Sequence, residues 1–161
     1  MLTMDVCLQL AAAFCGTLGF AICFNIRGKK LLIASLGGLM SWTVFLLLAP
    51  LLPSEATRYF FASAAVTIYA EAFARVMKTP TTTFLVPSLI PLIPGGSLYY
   101  TMNYALNEKW TAFAGKAIYT LELAMALALG IIAVTTVTRM VIVISKKLRG
   151  IEKISLFHHN M

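Results

Sequence analysis

The residues best suited to chemistry in this sequence lie in one apolar stretch, from Pro80 to Tyr104. A proline has no amide hydrogen and clashes with the carbonyl four residues earlier, so it leaves main-chain groups without partners inside a helix. In a membrane, those groups must be satisfied by the protein or by a water-filled cavity. Interrupted helices of this kind commonly mark binding sites. The helix-breaking residues of the stretch are Pro87, Pro91, Pro94, Gly95 and Gly96.

We predict that this stretch forms two half-helices, with a break at Pro94-Gly95-Gly96 and a second half-helix that begins at the capping residue Ser97. The free amides and the positive dipole end of the second half-helix would point into the membrane and favour a carboxylate. Tyr100 and Asn103 would add hydrogen-bonding groups. A kinked structural helix that packs against its neighbours is the alternative. The predicted substrate-binding residues are Pro91, Pro94, Gly95, Gly96, Ser97, Tyr100 and Asn103.

Two carboxylates inside apolar segments, Glu71 and Glu122, are candidates for proton coupling. Carboxylates in a membrane are costly and usually face a cavity or a partner, so either of them could bind and release a proton. Glu71 precedes Arg75 by four residues, a spacing that also favours a structural ion pair on one helix. Glu122 has only Lys116 near its face of the helix, and water exposure at the outer rim is its alternative.

The composition is that of an integral membrane protein. Hydrophobic residues make up 60% of the chain and charged residues 12%, whereas a soluble domain carries about 25% charged residues. The apolar residues form long blocks without alternating polar faces. The net charge of +7 does not indicate nucleic-acid binding, because the basic residues sit at the ends of the apolar blocks without interleaved aromatic residues. We therefore predict an all-α integral membrane protein.

About five transmembrane helices are predicted, the fourth of which is broken at Pro-Gly-Gly. Each is close to the ~20 residues that a 30 Å hydrocarbon core requires. They form a single transmembrane domain, residues 1–150, followed by a short cytoplasmic tail, residues 151–161. Four spans, with the interrupted segment only dipping into the membrane, are the alternative. The predicted spans are 6–26, 31–52, 59–77, 83–104 and 117–137, and the last could continue as helix to residue 144.

Loop charges favour five spans with the N-terminus outside and the C-terminus in the cytoplasm. In that topology ten lysines and arginines lie on the inner side and three on the outer side, which agrees with the positive-inside rule. Four spans would place the basic C-terminus outside. The topology therefore predicts a multi-pass membrane protein with the lipid bilayer as its surroundings.

Signatures of enzymes and metal sites are missing from the sequence. It contains no H-E-x-x-H, no G-x-S-x-G and no P-loop. Cys7, Cys15 and Cys23 are eight residues apart and so do not share a helix face. The adjacent pair His158-His159 has no other histidine to complete a site. We therefore expect neither an enzyme nor a bound metal or cofactor.

Two segments of the sequence resemble the threonine/serine exporter family. They are GFAICFN, residues 19–25, which precedes a basic turn, and VPSLIPLIPGGSLYYTM, residues 86–102. The resemblance covers roughly residues 10–130 and is closest to the small-subunit type. It implies a two-component secondary exporter of a small carboxylated metabolite, either threonine and serine or a dicarboxylate such as succinate. A larger exporter subunit of the same family would be its partner.

Three readings of the function follow. The first is the small subunit of an exporter that works by proton exchange. The second is a non-transporting membrane subunit that scaffolds a partner. The third is a homo-oligomeric channel. Five spans are few for a carrier with two gated halves, so the first reading, an exporter of a bacterial inner membrane, implies a partner subunit or an oligomer.

Overall fold

The computed structural model describes residues 2–159, with side-chain surroundings for residues 4–144. Every regular element in that range is helical, as the composition predicts. The elements are α1 (Leu2–Cys23), α2 (Lys29–Leu48), α3 (Glu55–Val76), α4 (Thr82–Leu89), a 3₁₀ turn (Ile90–Leu92), α5 (Gly95–Leu106) and α6 (Trp110–His159). The last helix continues through most of the segment that the sequence separates as a tail.

Three of the described helices are long and apolar enough to cross a membrane by length and composition. They are Met4–Cys23, Lys29–Leu48 and Trp110–Ile144. α3 has 22 residues, but Glu55, Arg58, Glu71 and Arg75 make it more polar. The apolar helix over Thr82–Leu92 is shorter, because prolines limit it. Two of the five predicted spans therefore correspond to a more polar helix and an interrupted segment.

Helices α1, α3 and α5 end in the same hydrogen-bonded turn. At the end of α1, the Asn25 amide donates to the Ile22 carbonyl (2.8 Å) and the Ile26 amide to the Ala21 carbonyl (3.0 Å). This is the Schellman motif, which needs a left-handed residue and usually takes glycine or asparagine there. The left-handed residues are Asn25 (φ 57°), Lys78 (φ 49°) and Glu108 (φ 54°). Lysine and glutamate do not predict such a turn, and α1 stops earlier than the predicted span.

Helix α2 is at the centre of the bundle and contacts α1, α3, α4 and the 3₁₀ turn. Two adjacent glycines bring its neighbours close, because a Cβ on Gly37 would overlap Ser88 of α4 and a Cβ on Gly38 would overlap Thr17 of α1. The buried Ser88 hydroxyl donates to the Ala34 carbonyl at 3.1 Å. Such small-residue contacts hold helices together in lipid, where hydrophobicity does not distinguish the interface from the surroundings.

Helices α3 and α6 run in the same direction. The Tyr119 hydroxyl donates to the Glu55 carboxylate near the start of both helices. Further along both helices, Gly130 lies against Ser63 so closely that a Cβ would overlap the serine hydroxyl. Since the helices are parallel, the chain must travel back between them, and α4, the 3₁₀ turn and α5 form this return path.

The bundle has one end rich in cations, which we call the basic end. It contains the turn between α1 and α2 (residues 24–28) and the turn between α3 and α4 (residues 77–81). Antiparallel packing of α2 and α3 places both turns there, as the hydrogen bond from the Tyr69 hydroxyl to the Ile33 carbonyl shows (2.8 Å). A buried cluster below this end includes Ala34, Val66, Ala70, Phe84 and Leu85. A second cluster, toward the opposite end, includes Phe45, Tyr59, Ala62, Leu92 and Leu123.

Candidate functional site

The interruption of the apolar stretch lies at Ile93 and Pro94. Ile93 is extended (φ −66°, ψ 124°), and Pro94 (φ −74°, ψ 56°) is the N-cap of α5. The second half-helix therefore begins at Gly95 and not at Ser97. Neither Gly95 nor Gly96 has a positive φ; in the described range, Gly28 is the glycine that does. The sequence predicts the break at Pro94-Gly95-Gly96, but the observed interruption falls before the two glycines, which form the first turn of α5.

Ahead of this break, the prolines change the backbone hydrogen bonds from the α-helical i to i−4 pattern to an i to i−3 pattern. Pro91 and Pro94 have no amide hydrogen to bond the carbonyls four residues earlier. The Ile90 amide instead donates to the Pro87 carbonyl, and the Ile93 amide donates to the Ile90 carbonyl at 3.2 Å. These i to i−3 bonds explain why a 3₁₀ turn separates α4 from the break.

The first turn of α5 has open surroundings. Gly95 and Gly96 are exposed, and a Cβ added to either would meet no atom within 4 Å. The Gly95 amide donates to the Ile93 carbonyl (2.7 Å) and the Leu98 amide to the Pro94 carbonyl (3.0 Å). Among the described residues, no backbone acceptor faces the amides of Gly96 and Ser97. Two main-chain donors are therefore left free at the N-terminus of α5.

The structure does not bring all the predicted substrate-binding residues to one place. Pro91 lines a hollow of about 280 Å³ together with Gln9 and Trp42, on the side of the break that faces α1 and α2. Tyr100 is exposed on α5. Asn103 accepts hydrogen bonds from the Asn107 side chain at its carbonyl (2.8 Å) and at its Oδ1 (2.8 Å). The predicted set is thus divided between the hollow, the first turn of α5 and the outer face of α5.

Helix α5 is held mainly by α6. The buried hydroxyls of Thr101 and Thr120 are 3.2 Å apart, and they join the two helices. Each hydroxyl also lies within hydrogen-bonding distance of a carbonyl of its own helix, Ser97 for Thr101 (2.8 Å) and Lys116 for Thr120 (2.7 Å). Because a hydroxyl has a single hydrogen, one threonine donates to its carbonyl while the other donates across the helix contact. This link fixes the position of α5 after the break.

The two candidate carboxylates lie at different places. Glu71 accepts a hydrogen bond from Arg75 at 3.3 Å, and their side chains are 16% and 51% exposed, respectively. Glu122 is exposed at the edge of a shallow apolar groove of about 390 Å³ that Ala56 and Met125 also line. Within the described residues Glu122 has no ion pair. The two glutamates therefore do not share a site.

The basic end also contains a cleft that the sequence pattern does not predict. It has a volume of about 660 Å³ and lies between the turn after α1 and the start of α4. In the sequence, Arg27 and Lys30 are part of the basic loop after the first span, and the residues that meet them, Thr82 and Thr83, are more than fifty positions away. No local pattern pairs the two segments. The lining includes Asn25, Arg27, Lys30, Thr82, Thr83 and Pro87.

Comparison with known proteins agrees with this architecture. The model of the family described as "Threonine/Serine exporter, ThrE" matches residues 9–137, which contain most of α1, all of α2 to α5 with the interruption, and about half of α6. No curated protein and no solved structure shows significant similarity to the chain. Because the family model matches well over half of the sequence, this chain belongs to the threonine/serine exporter family.

Proposed function

We propose that this chain is the small subunit of a two-component secondary exporter in a bacterial inner membrane. It would move a small carboxylated metabolite outward, either threonine and serine or a dicarboxylate. The observation that carries the proposal is the family match over residues 9–137, whose members are exporters. The apolar helices Met4–Cys23, Lys29–Leu48 and Trp110–Ile144 support a location in the membrane.

The parallel arrangement of α3 and α6 supports five crossings. Two parallel helices separated by one connecting segment require that segment to return across the bundle, and α4 to α5 provide the return. With five crossings, the two chain termini lie on opposite sides of the membrane. The cations of the basic end then face the cytoplasm, in agreement with the positive-inside rule.

The start of α5 supports a role in holding a carboxylate. The amides of Gly96 and Ser97 have no backbone acceptor among the described residues, and the positive end of a helix dipole stabilises an anion at that position. The absence of a Cβ on Gly95 and Gly96 lets a solute approach the main chain closely. We propose that the full path for the solute forms only when the larger subunit, or a second copy of this chain, covers this exposed turn.

An efflux assay tests the proposal. Cells that express this chain together with the larger subunit are loaded with labelled threonine or labelled succinate, and loss of label is followed with and without each subunit. We expect efflux of one of the two solutes only when both subunits are present. Efflux from this chain alone that does not saturate would favour the homo-oligomeric channel instead.

A substitution in the first turn of α5 separates transport from scaffolding. Gly95→Leu should reduce efflux by at least about tenfold, a loss of some 1.4 kcal/mol, because the new side chain would shield the free amides. Assembly should be retained, since no atom lies within 4 Å of the added Cβ. Gly115→Leu on α6 is the matched control with equally open surroundings. Normal efflux by Gly95→Leu would contradict the carrier site, and loss of assembly would favour the scaffold.

A further inference from the structure

The cleft at the basic end has the size and the composition of a small-molecule site. Its volume of about 660 Å³ is within the range of roughly 300–1,000 Å³ that is usual for such sites. We propose that this cleft binds one oxyanion, a carboxylate or a phosphate group, between Arg27, Lys30 and the N-terminus of α4. The proposal goes beyond the export function. The cleft contains no residue of α5, so it is a separate site from the first turn of that helix, and binding to it can be measured without transport.

The charge of the cleft favours an anion. Arg27 and Lys30 both line it, and no carboxylate does. Glu71, the carboxylate of α3 nearest in sequence to this end, is paired with Arg75 at 3.3 Å and is therefore not available to neutralise the two cations. Lys78 adds another positive charge in the neighbouring turn.

The Schellman turn at the end of α1 positions Arg27. Asn25 takes the left-handed conformation (φ 57°), and Ile26 is buried, which anchors the chain immediately before the arginine. The Asn25 Oδ1 atom accepts a hydrogen bond from the Arg27 Nε atom at 2.9 Å. Since this bond uses Nε, the two terminal nitrogens of the guanidinium remain available for a paired contact with an oxyanion.

Lys30 reaches the cleft because α2 begins immediately after Gly28. Gly28 has φ 64° and ψ −143°, a combination that is essentially restricted to glycine. Helix α2 then starts at Lys29, so Lys29 and Lys30 point in different directions around the helix axis. Lys30 is half-buried and lines the cleft, whereas Lys29 is exposed and does not. Two adjacent lysines therefore differ in access to the site.

The opposite wall contributes the start of α4. Thr82 and Thr83 line the cleft. The first backbone bonds of this helix are donated by the amides of Thr83 (3.1 Å to Pro80) and Phe84 (3.1 Å to Thr81). The Thr82 amide has no backbone acceptor within the described residues. The end of α4 that lines the cleft therefore has a free main-chain donor and the positive end of the helix dipole.

Either of two sources could supply the oxyanion. A carboxylated solute could enter the cleft from water, or the phosphate of an anionic lipid could enter from the membrane surface, where basic residues meet headgroups. Both present two or three oxygens of a size that matches a guanidinium and a lysine ammonium.

Binding to the purified chain in neutral detergent tests the proposal. Isothermal titration calorimetry is performed with sodium succinate, with inorganic phosphate, and with phosphatidylglycerol or phosphatidylcholine in mixed micelles, at constant ionic strength. We expect Arg27→Gln and Lys30→Gln each to weaken binding by about tenfold, or 1.4 kcal/mol. Lys29→Gln is the matched control and should change the affinity less than about twofold, or 0.4 kcal/mol.

The outcome of this titration identifies the source of the oxyanion or overturns the site. Binding of succinate or phosphate identifies a soluble ligand, whereas binding of phosphatidylglycerol but not phosphatidylcholine identifies a lipid headgroup. Equal weakening by Lys29→Gln and Lys30→Gln would mean attraction to the general charge of this end, and it would overturn the site. So would failure of all four probes to bind. Lys30→Arg, which retains the charge, should restore binding and excludes misfolding as the cause of a loss.

Discussion

At the scale of single residues, the turn between α1 and α2 determines what the basic end can do. Asn25 and Gly28 both have a positive φ, and together they turn the chain sharply enough to bring Arg27 and Lys30 toward α4. Asparagine tolerates its left-handed conformation because a short polar side chain can bond locally. The conformation of Gly28 is more demanding, since its ψ of −143° lies outside the left-handed helical region.

Replacing Gly28 should therefore destabilise the protein. Gly28→Ala would force a side chain into a glycine-only region, at a cost of about 1–3 kcal/mol. Thermal unfolding in detergent should show a lower midpoint. Gly19→Ala is the control, because Gly19 is inside α1 with no atom within 4 Å of an added Cβ, and alanine favours a helix by about 1 kcal/mol. Equal midpoints for the two variants would contradict the role of Gly28.

The two candidate carboxylates, Glu71 and Glu122, differ in whether they form an ion pair. Glu71 is held by Arg75 at 3.3 Å, and an exposed pair of this kind contributes about 0.2–1 kcal/mol. Glu122 is without an ion pair within the described residues, which makes it the better of the two candidates for proton coupling. If export is coupled to protons, Glu122→Gln should abolish the dependence of efflux on external pH.

Glu71→Gln is the comparison for this prediction. It should leave the pH dependence of efflux unchanged and should alter thermal stability only slightly, since it removes one weak ion pair. The opposite pattern, in which only Glu71→Gln loses the pH dependence, would assign proton coupling to the end of α3.

At the scale of helices, close backbone contacts position the elements around α2. A Cβ on Gly38 would overlap the buried Thr17 side chain, whereas Gly16, on α1 itself, has no neighbouring atom within 4 Å. The sequence indicates small-residue faces on both helices, with Ala12 and Gly16 on one and Ala34 and Gly38 on the other. In the structure Gly38 of the second pair contacts α1, whereas Ala12 and Gly16 are exposed.

This difference gives a paired prediction. Gly38→Val should push α1 away from α2 and cost about 1–3 kcal/mol, the usual range for overfilling a packed contact. Gly16→Val should have a smaller effect on the unfolding midpoint of the isolated subunit. A Gly38→Val variant as stable as the unchanged protein would show that α1 is not held against α2 by this glycine.

Sequence patterns predict the helices better than the sites. The proline positions identify the interrupted segment, because a missing amide hydrogen acts locally whatever the tertiary structure. The same reasoning places the second half-helix at Ser97, but Pro94 itself serves as N-cap and α5 begins at Gly95. The basic cleft could not be predicted, since it depends on the contact between the turn after Asn25 and the start of α4 at Thr82, which only the packing around α2 creates.

At the scale of the whole molecule, the direction of α3 and α6 determines the topology. With five crossings the N-terminus and the C-terminus lie on opposite sides of the membrane, and with four they lie on the same side. A fluorescent protein that folds only in the cytoplasm should therefore fluoresce when fused to the C-terminus and not when fused to the N-terminus. Absence of fluorescence from both fusions would contradict the five-crossing arrangement and favour the four-span alternative, which places both termini outside.

The length of α6 has a consequence for the bilayer itself. The membrane-spanning candidate Trp110–Ile144 has 35 residues and would measure about 52 Å, against a hydrocarbon thickness of about 30 Å. Lys116 and Arg139 lie toward its two ends. Contacts with α3 at Glu55 and Ser63 restrain it from lying flat. The helix is therefore roughly 20 Å longer than the hydrocarbon layer is thick, and the excess must extend into the headgroup regions and water, where the charged ends favour it, or be accommodated by tilting of the helix.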